Sequence, residues 1–194
     1  EAFPIPEWWR RIGALDFGYD HPTAAVRLAH DASADIIYIT DCYRVRETPV
    51  HTHAAALKPW GKDLPWSWPH DGLNATAGSP DPLAQQYRAN GLKMLDQPAS
   101  YDDQRRNEVE AGLMDMLDRM HTGRLKVFSH LNDWFDEFDL YHRKDGKVVK
   151  ERDDIMAATR YGVMDLRYAR ATAEAPVRDR YARRSGSSKS SWAA

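Results

Sequence analysis

Three runs of apolar or alternating positions open the chain, at residues 11–17, 23–29 and 35–46. They are separated by Gly-Tyr-Asp-His-Pro and His-Asp-Ala-Ser, both dense in turn formers, so each run predicts a strand. Connections this short join antiparallel neighbours, and the three strands predict a meander. Residues 49–59 then predict a helix, and 64–70 a short strand ending at Asp71. After a loop at 72–82, residues 83–90 predict a helix and 92–95 a strand. The clearest periodicity lies in 103–121, where Val109, Leu113, Met116, Leu117 and Met120 recur at i, i+4, i+7, i+8 and i+11. That spacing predicts an amphipathic helix packed on a sheet. Residues 125–128 predict a further strand and 133–140 a short helix. The last long helix is predicted over 154–168, with Ala157, Tyr161, Met164 and Tyr168 as its buried stripe.

Before that last helix, Tyr-His-Arg-Lys-Asp-Gly-Lys-Val-Val-Lys-Glu-Arg at 141–152 predicts a β-hairpin turning at Asp145-Gly146, a dipeptide suited to tight hairpin turns. Its arms carry Arg143, Lys144, Lys147, Lys150 and Arg152. Such charges suit either a solvated edge protected from aggregation or a basic finger laid along nucleic-acid phosphates. From residue 171 periodicity is lost and the chain turns Arg- and Ser-rich. Residues 1–170 therefore predict one domain and 171–194 a flexible basic tail.

Composition narrows the function classes. A chain of 194 residues, 42% hydrophobic, builds one sizeable core. Its net charge of −2 excludes a uniformly basic coat, so any surface for a polyanion is local. A single cysteine, Cys42, excludes an internal disulfide framework and a thiolate zinc cluster, and fits a reducing cytosol. No stretch approaches the roughly 20 apolar residues of a membrane span, so no membrane partner is expected. The chain begins at Glu1 and enters its first strand almost at once, which suggests a piece of a longer polypeptide with a domain upstream.

Asp16 adds chemistry to this frame. It places a carboxylate inside Ile-Gly-Ala-Leu-Asp-Phe-Gly, a run that otherwise reads as a buried strand. An unpaired buried carboxylate costs several kcal/mol, of order 2–7 even for a neutral polar group, so it needs a cation, a hydrogen-bond network or an exposed edge. Asp71 and the pair Asp153-Asp154 stand at the ends of later elements. Each has a structural alternative: Asp16 pairing with Arg10 or Arg11, Asp71 as a turn residue, Asp153 and Asp154 as helix caps. The order of elements, three antiparallel strands followed by helix and strand in alternation, matches an α/β ribonuclease H-like mixed sheet flanked by helices. On that architecture acids in the first strand, after the fourth strand and at the start of the final helix converge at one sheet edge. Oxygen-only ligands select Mg²⁺ or Mn²⁺, and two such ions support phosphodiester hydrolysis without a protein nucleophile. Asp153 and Asp154 lie on either side of the predicted stripe, so periodicity does not choose between them.

Residues 12–26, Trp-Pro-His-Asp-Gly at 68–72, and 141–161 resemble the C-terminal nuclease domain of tailed-bacteriophage terminase large subunits, in particular those of P22-like phages. The resemblance spans about residues 10–170. It implies a nuclease that cuts concatemeric double-stranded viral DNA at the start and end of packaging, with low sequence specificity, in the host cell cytoplasm. It also implies an N-terminal packaging ATPase in the same polypeptide, whose Gly-rich phosphate loop this chain lacks, and the portal and small terminase subunit as partners. By motif, Asp16, Asp71 and one or both of Asp153 and Asp154 hold the metals, with Asp154 favoured. Some relatives carry a further acid three residues after the position matching Asp154; here that position is Ala157, which leaves the second metal's ligand set open. A junction resolvase or transposase-like nuclease shares the fold, and a non-catalytic docking module for a viral partner such as the portal is the alternative outside enzymes.

His51 and His53 point to different faces of one helix and do not suit a shared metal. His70 alternates away from Asp71 if both lie on a strand. Trp60, Trp66 and Trp68 read as core, with base stacking the alternative.

Overall fold

A computed structural model of the chain describes residues 1–76, 79–101, 109–144, 147–148 and 152–174, with the backbone alone at 76, 143–144 and 147–148. The expected meander is present. β1 (Arg10–Asp16), β2 (Thr23–Asp31) and β3 (Ile36–Val45) pair antiparallel in sequence order. α1 (Val50–Leu57) and a 3-10 turn at Lys58–Trp60 lead to β4 (Pro65–Ser67), parallel to β1. A small separate hairpin, β5 (Ala75–Thr76) and β6 (Ser79–Pro82), occupies part of the stretch expected to be loop. α2 (Leu83–Ala89), β7 (Lys93–Met94), α3 (Val109–His121), β8 (Leu125–Val127) and α4 (Asn132–Leu140) follow. Two short arms, β9 (Arg143–Lys144) and β10 (Lys147–Val148), then precede α5 (Asp154–Met164). The main sheet has the order β7-β4-β1-β2-β3-β8. It is antiparallel at its centre, where short turns join the strands, and parallel at both edges, which the chain reaches through helices.

Each face of the sheet carries its own core. Ile12, Ala14, Val26, Leu28, Ile37 and Ile39 pack under α5. On the other face Leu15, Ala25, Leu57, Trp66, Trp68 and Tyr87 pack together, so the tryptophans at 66 and 68 are core residues. α5 lies between the sheet, α3 and α4, and all its residues except Ala157 are buried. A helix covered on every side has no single stripe, and it stops at Met164. Tyr168, expected in that stripe, belongs instead to a 3-10 turn and is 45% exposed. α5 also approaches the sheet closely: a Cβ on Gly162 would stand 2.6 Å from Leu28 Cδ1 and 3.2 Å from Ala14 Cβ. On α3 the expected stripe narrows to buried Met116 with Leu113 and Met120 half-buried, while Val109 and Leu117 are exposed at the margin of the core. Residues 103–108 of that expected helix lie outside the described residues.

Candidate metal centre

Alternation along β1 sends Ile12 and Ala14 toward α5, and Asp16 follows on the same face at the strand's end. The register Asp16↔Ala24↔Arg44 sets these three in one row across β1, β2 and β3. Arg44 reaches that row through a β-bulge. Arg27 pairs with Asp41 and Leu28 with Ile39, which leaves Thr40 extra on β3. The extra residue reverses side-chain parity, so Cys42 and Arg44 face the way Ile37 and Ile39 do. β4 ends at Ser67, not at His70 as expected. Pro69 has no N–H to continue a ladder, and a 3-10 turn, His70–Leu73, carries Asp71. His70 is therefore not on the far face of a strand; it is exposed in the same turn, and its charge acts on Asp71.

The four acids singled out in the sequence meet electrostatically. The carboxyl of half-buried Asp16 is held well above the usual carboxylate range, first by burial and then by the charges of Asp71, Asp154 and Asp153, with Arg160 pulling the other way. Asp71 is exposed, and partial desolvation still raises its carboxyl, opposed by hydrogen bonding with the backbone of Asp71 and Gly72 and by His70. Asp154, buried at the first turn of α5, accepts hydrogen bonds from Arg44 Nε at 3.2 Å and Nη2 at 3.1 Å, both on Oδ2. Arg160, also buried, lies over the Tyr161 ring at 4.5 Å. Among the described residues no three His, Cys, Asp or Glu side chains stand close enough to hold a metal ion as they are. A divalent cation would have to draw these carboxylates together, and their shared excess of negative charge is what such a cation neutralises.

Two further residues of this edge, Arg44 and Glu137, were not legible in the sequence, and a third buried acid, Asp165, lies past the other end of α5. Arg44 is hidden by the bulge. Glu137, 3% exposed on α4, accepts the Met156 N–H on Oε1 at 2.7 Å and stands with Oε2 3.5 Å from Arg44 Nε. Burial pushes its carboxyl up to about 7. Its sequence signal is a glutamate three residues after buried Trp134, on the apolar side of an otherwise acidic helix. Asp165, buried just past α5, accepts the Ser67 hydroxyl hydrogen at 2.7 Å and is raised chiefly by burial.

Of the basic residues expected to contact DNA, Arg152 is exposed with φ +55° and lines a small polar hollow with Arg44, Asp133, Asp136 and Glu137. β9 and β10 pair Lys144 with Lys147 and Arg143 with Val148, the register of the expected hairpin. The side chains of Arg143, Lys144 and Lys147, the turn Asp145-Gly146 and the whole of Lys150 lie outside the described residues, as do 175–194 of the expected tail. At the start of that tail, Thr172 and Ala173 donate their N–H groups to the Glu7 carbonyl. Beside Asp71 a cleft of about 900 Å³ is lined by Phe17, Tyr19, His51, Asn74 and Gln86 among others. His53 is buried with Nδ1 2.8 Å from the Tyr43 hydroxyl, whereas His51 is exposed, so the two share no ligand position.

Residues 13–166 match the model of the terminase RNaseH-like domain family. The terminase large subunit of Salmonella phage P22 is 39% identical over 171 residues, 88% of this chain and 34% of that relative. This chain thus spans about a third of that relative's length. A solved structure of the P22 large terminase nuclease domain superposes with a TM-score of 0.80 at 38% identity, covering 88% of each chain. The large terminase nuclease domain of bacteriophage SPP1, solved with bound Mn, shares the fold with a TM-score of 0.52 at 19% identity, over 78% of this chain and 84% of that one.

Proposed function

Because this chain belongs to the terminase RNaseH-like domain family, we propose that it is the nuclease domain of a phage terminase large subunit that cuts concatemeric double-stranded DNA during genome packaging. The observation that carries the reading is the Asp16 carboxyl, raised by burial and by three neighbouring acids, with Arg160 opposing them. An edge built this way has too much negative charge for its own fold and suits a divalent cation. Asp16, Asp71, Asp154 and Asp153 are the residues that would hold Mg²⁺ or Mn²⁺. Two such ions, when bound, would activate the attacking water and stabilise the leaving 3′ oxygen.

The chain's own groups do the rest. Asp16 and Asp154 project from packed elements, the end of a central strand and the start of a buried helix, so the backbone at each is held while the side chains would turn toward a common cation. Arg143, Lys144, Lys147, Lys150 and Arg152 precede Asp153 directly in the chain and would hold the duplex by its phosphates. Phosphate contacts position DNA without reading bases, which accounts for low sequence specificity. The upstream ATPase, the portal and the small subunit are the proposed partners in the host cytoplasm, with 1–170 as the nuclease unit and 171–194 as a basic tail.

Relaxation of supercoiled plasmid with Mn²⁺, with Mg²⁺ and with chelator tests this. Cation-dependent nicking and linearisation without a preferred site are expected. Inert protein in all three conditions would favour a docking module, and preference for four-way junctions a resolvase.

A further inference from the structure

Resting on that reading of the acidic edge, we infer that Arg44 and Glu137 form a positioning relay that presents Asp154 to the cation through one oxygen. Arg44 places both Nε and Nη2 on Oδ2 of Asp154, at 3.2 and 3.1 Å. Both of these hydrogen bonds fall on the same oxygen, which leaves Oδ1 outside the Arg44 contact. A carboxylate fixed this way offers a single oxygen in one direction.

Glu137 serves the same end twice. Acids at a helix start ordinarily turn back to accept the unpaired N–H groups of the first turn. Here Asp153, which precedes α5, makes no side-chain capping bond. Oε1 of Glu137 reaches across from α4 and takes the Met156 N–H at 2.7 Å. The capping role that the sequence offers to the Asp153-Asp154 pair is filled by a residue of another helix. Oε2 of Glu137 is buried without a hydrogen bond and stands 3.5 Å from Arg44 Nε. One buried carboxylate thereby holds both the start of α5 and the guanidinium that aims Asp154. The bulge at Thr40 completes the device, because it turns Arg44 onto this face.

The sign of one substitution separates positioning from simple charge. Removing the Arg44 cation from a site for divalent ions would by electrostatics alone tighten ion binding. Loss of aim weakens it, and partners that orient a metal ligand typically contribute about 10–100-fold in affinity. Mn²⁺ titration by calorimetry of the whole chain, with thermal melting to verify folding, reads this directly. Arg44→Ala is expected to bind Mn²⁺ at least about 10-fold more weakly than wild type, and Arg44→Lys to recover part of the loss. Glu137→Gln, which keeps an oxygen for the Met156 N–H, is expected to fall between them. The Arg44→Ala/Glu137→Gln double variant should be no worse than Arg44→Ala alone, because the two act in series. Unchanged or tighter Mn²⁺ binding by folded Arg44→Ala, or additive losses in the double variant, overturns the relay. If Arg44→Ala does not fold, wild-type Mn²⁺ affinity in both Arg44→Lys and Glu137→Gln overturns it equally. Absence of Mn²⁺ binding by wild type, or binding that survives Asp16→Asn intact, would instead defeat the underlying reading of the edge.

Discussion

Asp16 and Asp35 lie at opposite ends of the same sheet, and the chain treats their charges in opposite ways. Asp35 sits in the β2–β3 turn with φ +50°. Its oxygens stand 3.1 Å from His30 Nε2, 3.2 Å from Arg119 Nη1 and 2.9 Å from Arg124 Nη1. Burial pushes its carboxyl up, but hydrogen bonds from His30, Arg124 and Arg119 outweigh that and bring it down to about 2. At Asp16, burial and three acids all push the same way and outweigh the opposing charge of Arg160. The first cluster is neutralised by the fold itself. At the second, burial and neighbouring acids outweigh the opposing cation, the imbalance that the proposed metal would neutralise.

The comparison breaks most sharply on activity. Asp16→Asn keeps the side chain's shape and removes its charge, so plasmid cleavage should fall on the order of 100-fold or more while the melting temperature at pH 7 stays level or rises. Asp35→Asn should do the reverse, retaining cleavage and losing about 1 kcal/mol of stability from its partly exposed ion pairs. Nicking assays and melts of both variants decide the matter. Cleavage by Asp16→Asn at the wild-type rate would remove Asp16 from the centre.

Cation-induced stabilisation is the next largest effect. An ion bound only by the folded state stabilises it by about 2.7 kcal/mol at 100 times its Kd. For a chain of this size that raises the melting temperature by about 5–10 °C. The rise should be seen with Mn²⁺ in wild type and in Asp35→Asn, and should vanish in Asp16→Asn. A rise of equal size in both variants would mean that the ion binds elsewhere.

How far these two clusters can be read in the sequence differs for physical reasons. Asp16 is legible because a carboxylate interrupts an apolar run, and Asp153-Asp154 because they open a helix. The strand meander and the hairpin arms follow from alternation and turn formers. Arg44 is not legible: counted from Ile37 and Ile39 it falls on the wrong face, and the bulge that corrects its parity depends on pairing with β2. The choice between Asp153 and Asp154 stays closed to periodicity because α5 is buried on nearly every side. What distinguishes them is the contact Asp154 makes with Arg44, a partner 110 residues away. Asp35 reads as an ordinary turn residue, since its arginines come from α3 and from the start of β8.

The smallest effect sharpens the comparison through pH. Glu137 belongs to the uncompensated end, where burial first and the Asp154 charge raise its carboxyl from 4.5 to about 7 while the Met156 N–H and Arg44 pull it down. An acid whose folded pKa lies above its unfolded one stabilises the fold while protonated, and that contribution is lost as pH rises from about 4.5 to about 7. Asp35, shifted from 3.8 to about 2, is ionised in both states across that window and adds no slope there. His53, lowered chiefly by burial, works the opposite way, because stability grows as pH rises through its unfolded value. The readable quantity is therefore the difference between variants. In chelator, Glu137→Gln should lose less stability than wild type between pH 5 and 7, by on the order of 1 kcal/mol, whereas Asp35→Asn should follow the wild-type slope. Parallel melting curves for wild type and Glu137→Gln would show that the Glu137 carboxyl is compensated after all and belongs with Asp35. A Glu137→Gln curve that stays flatter than the other two would place it with Asp16, at the end where burial and neighbouring acids outweigh the opposing cations.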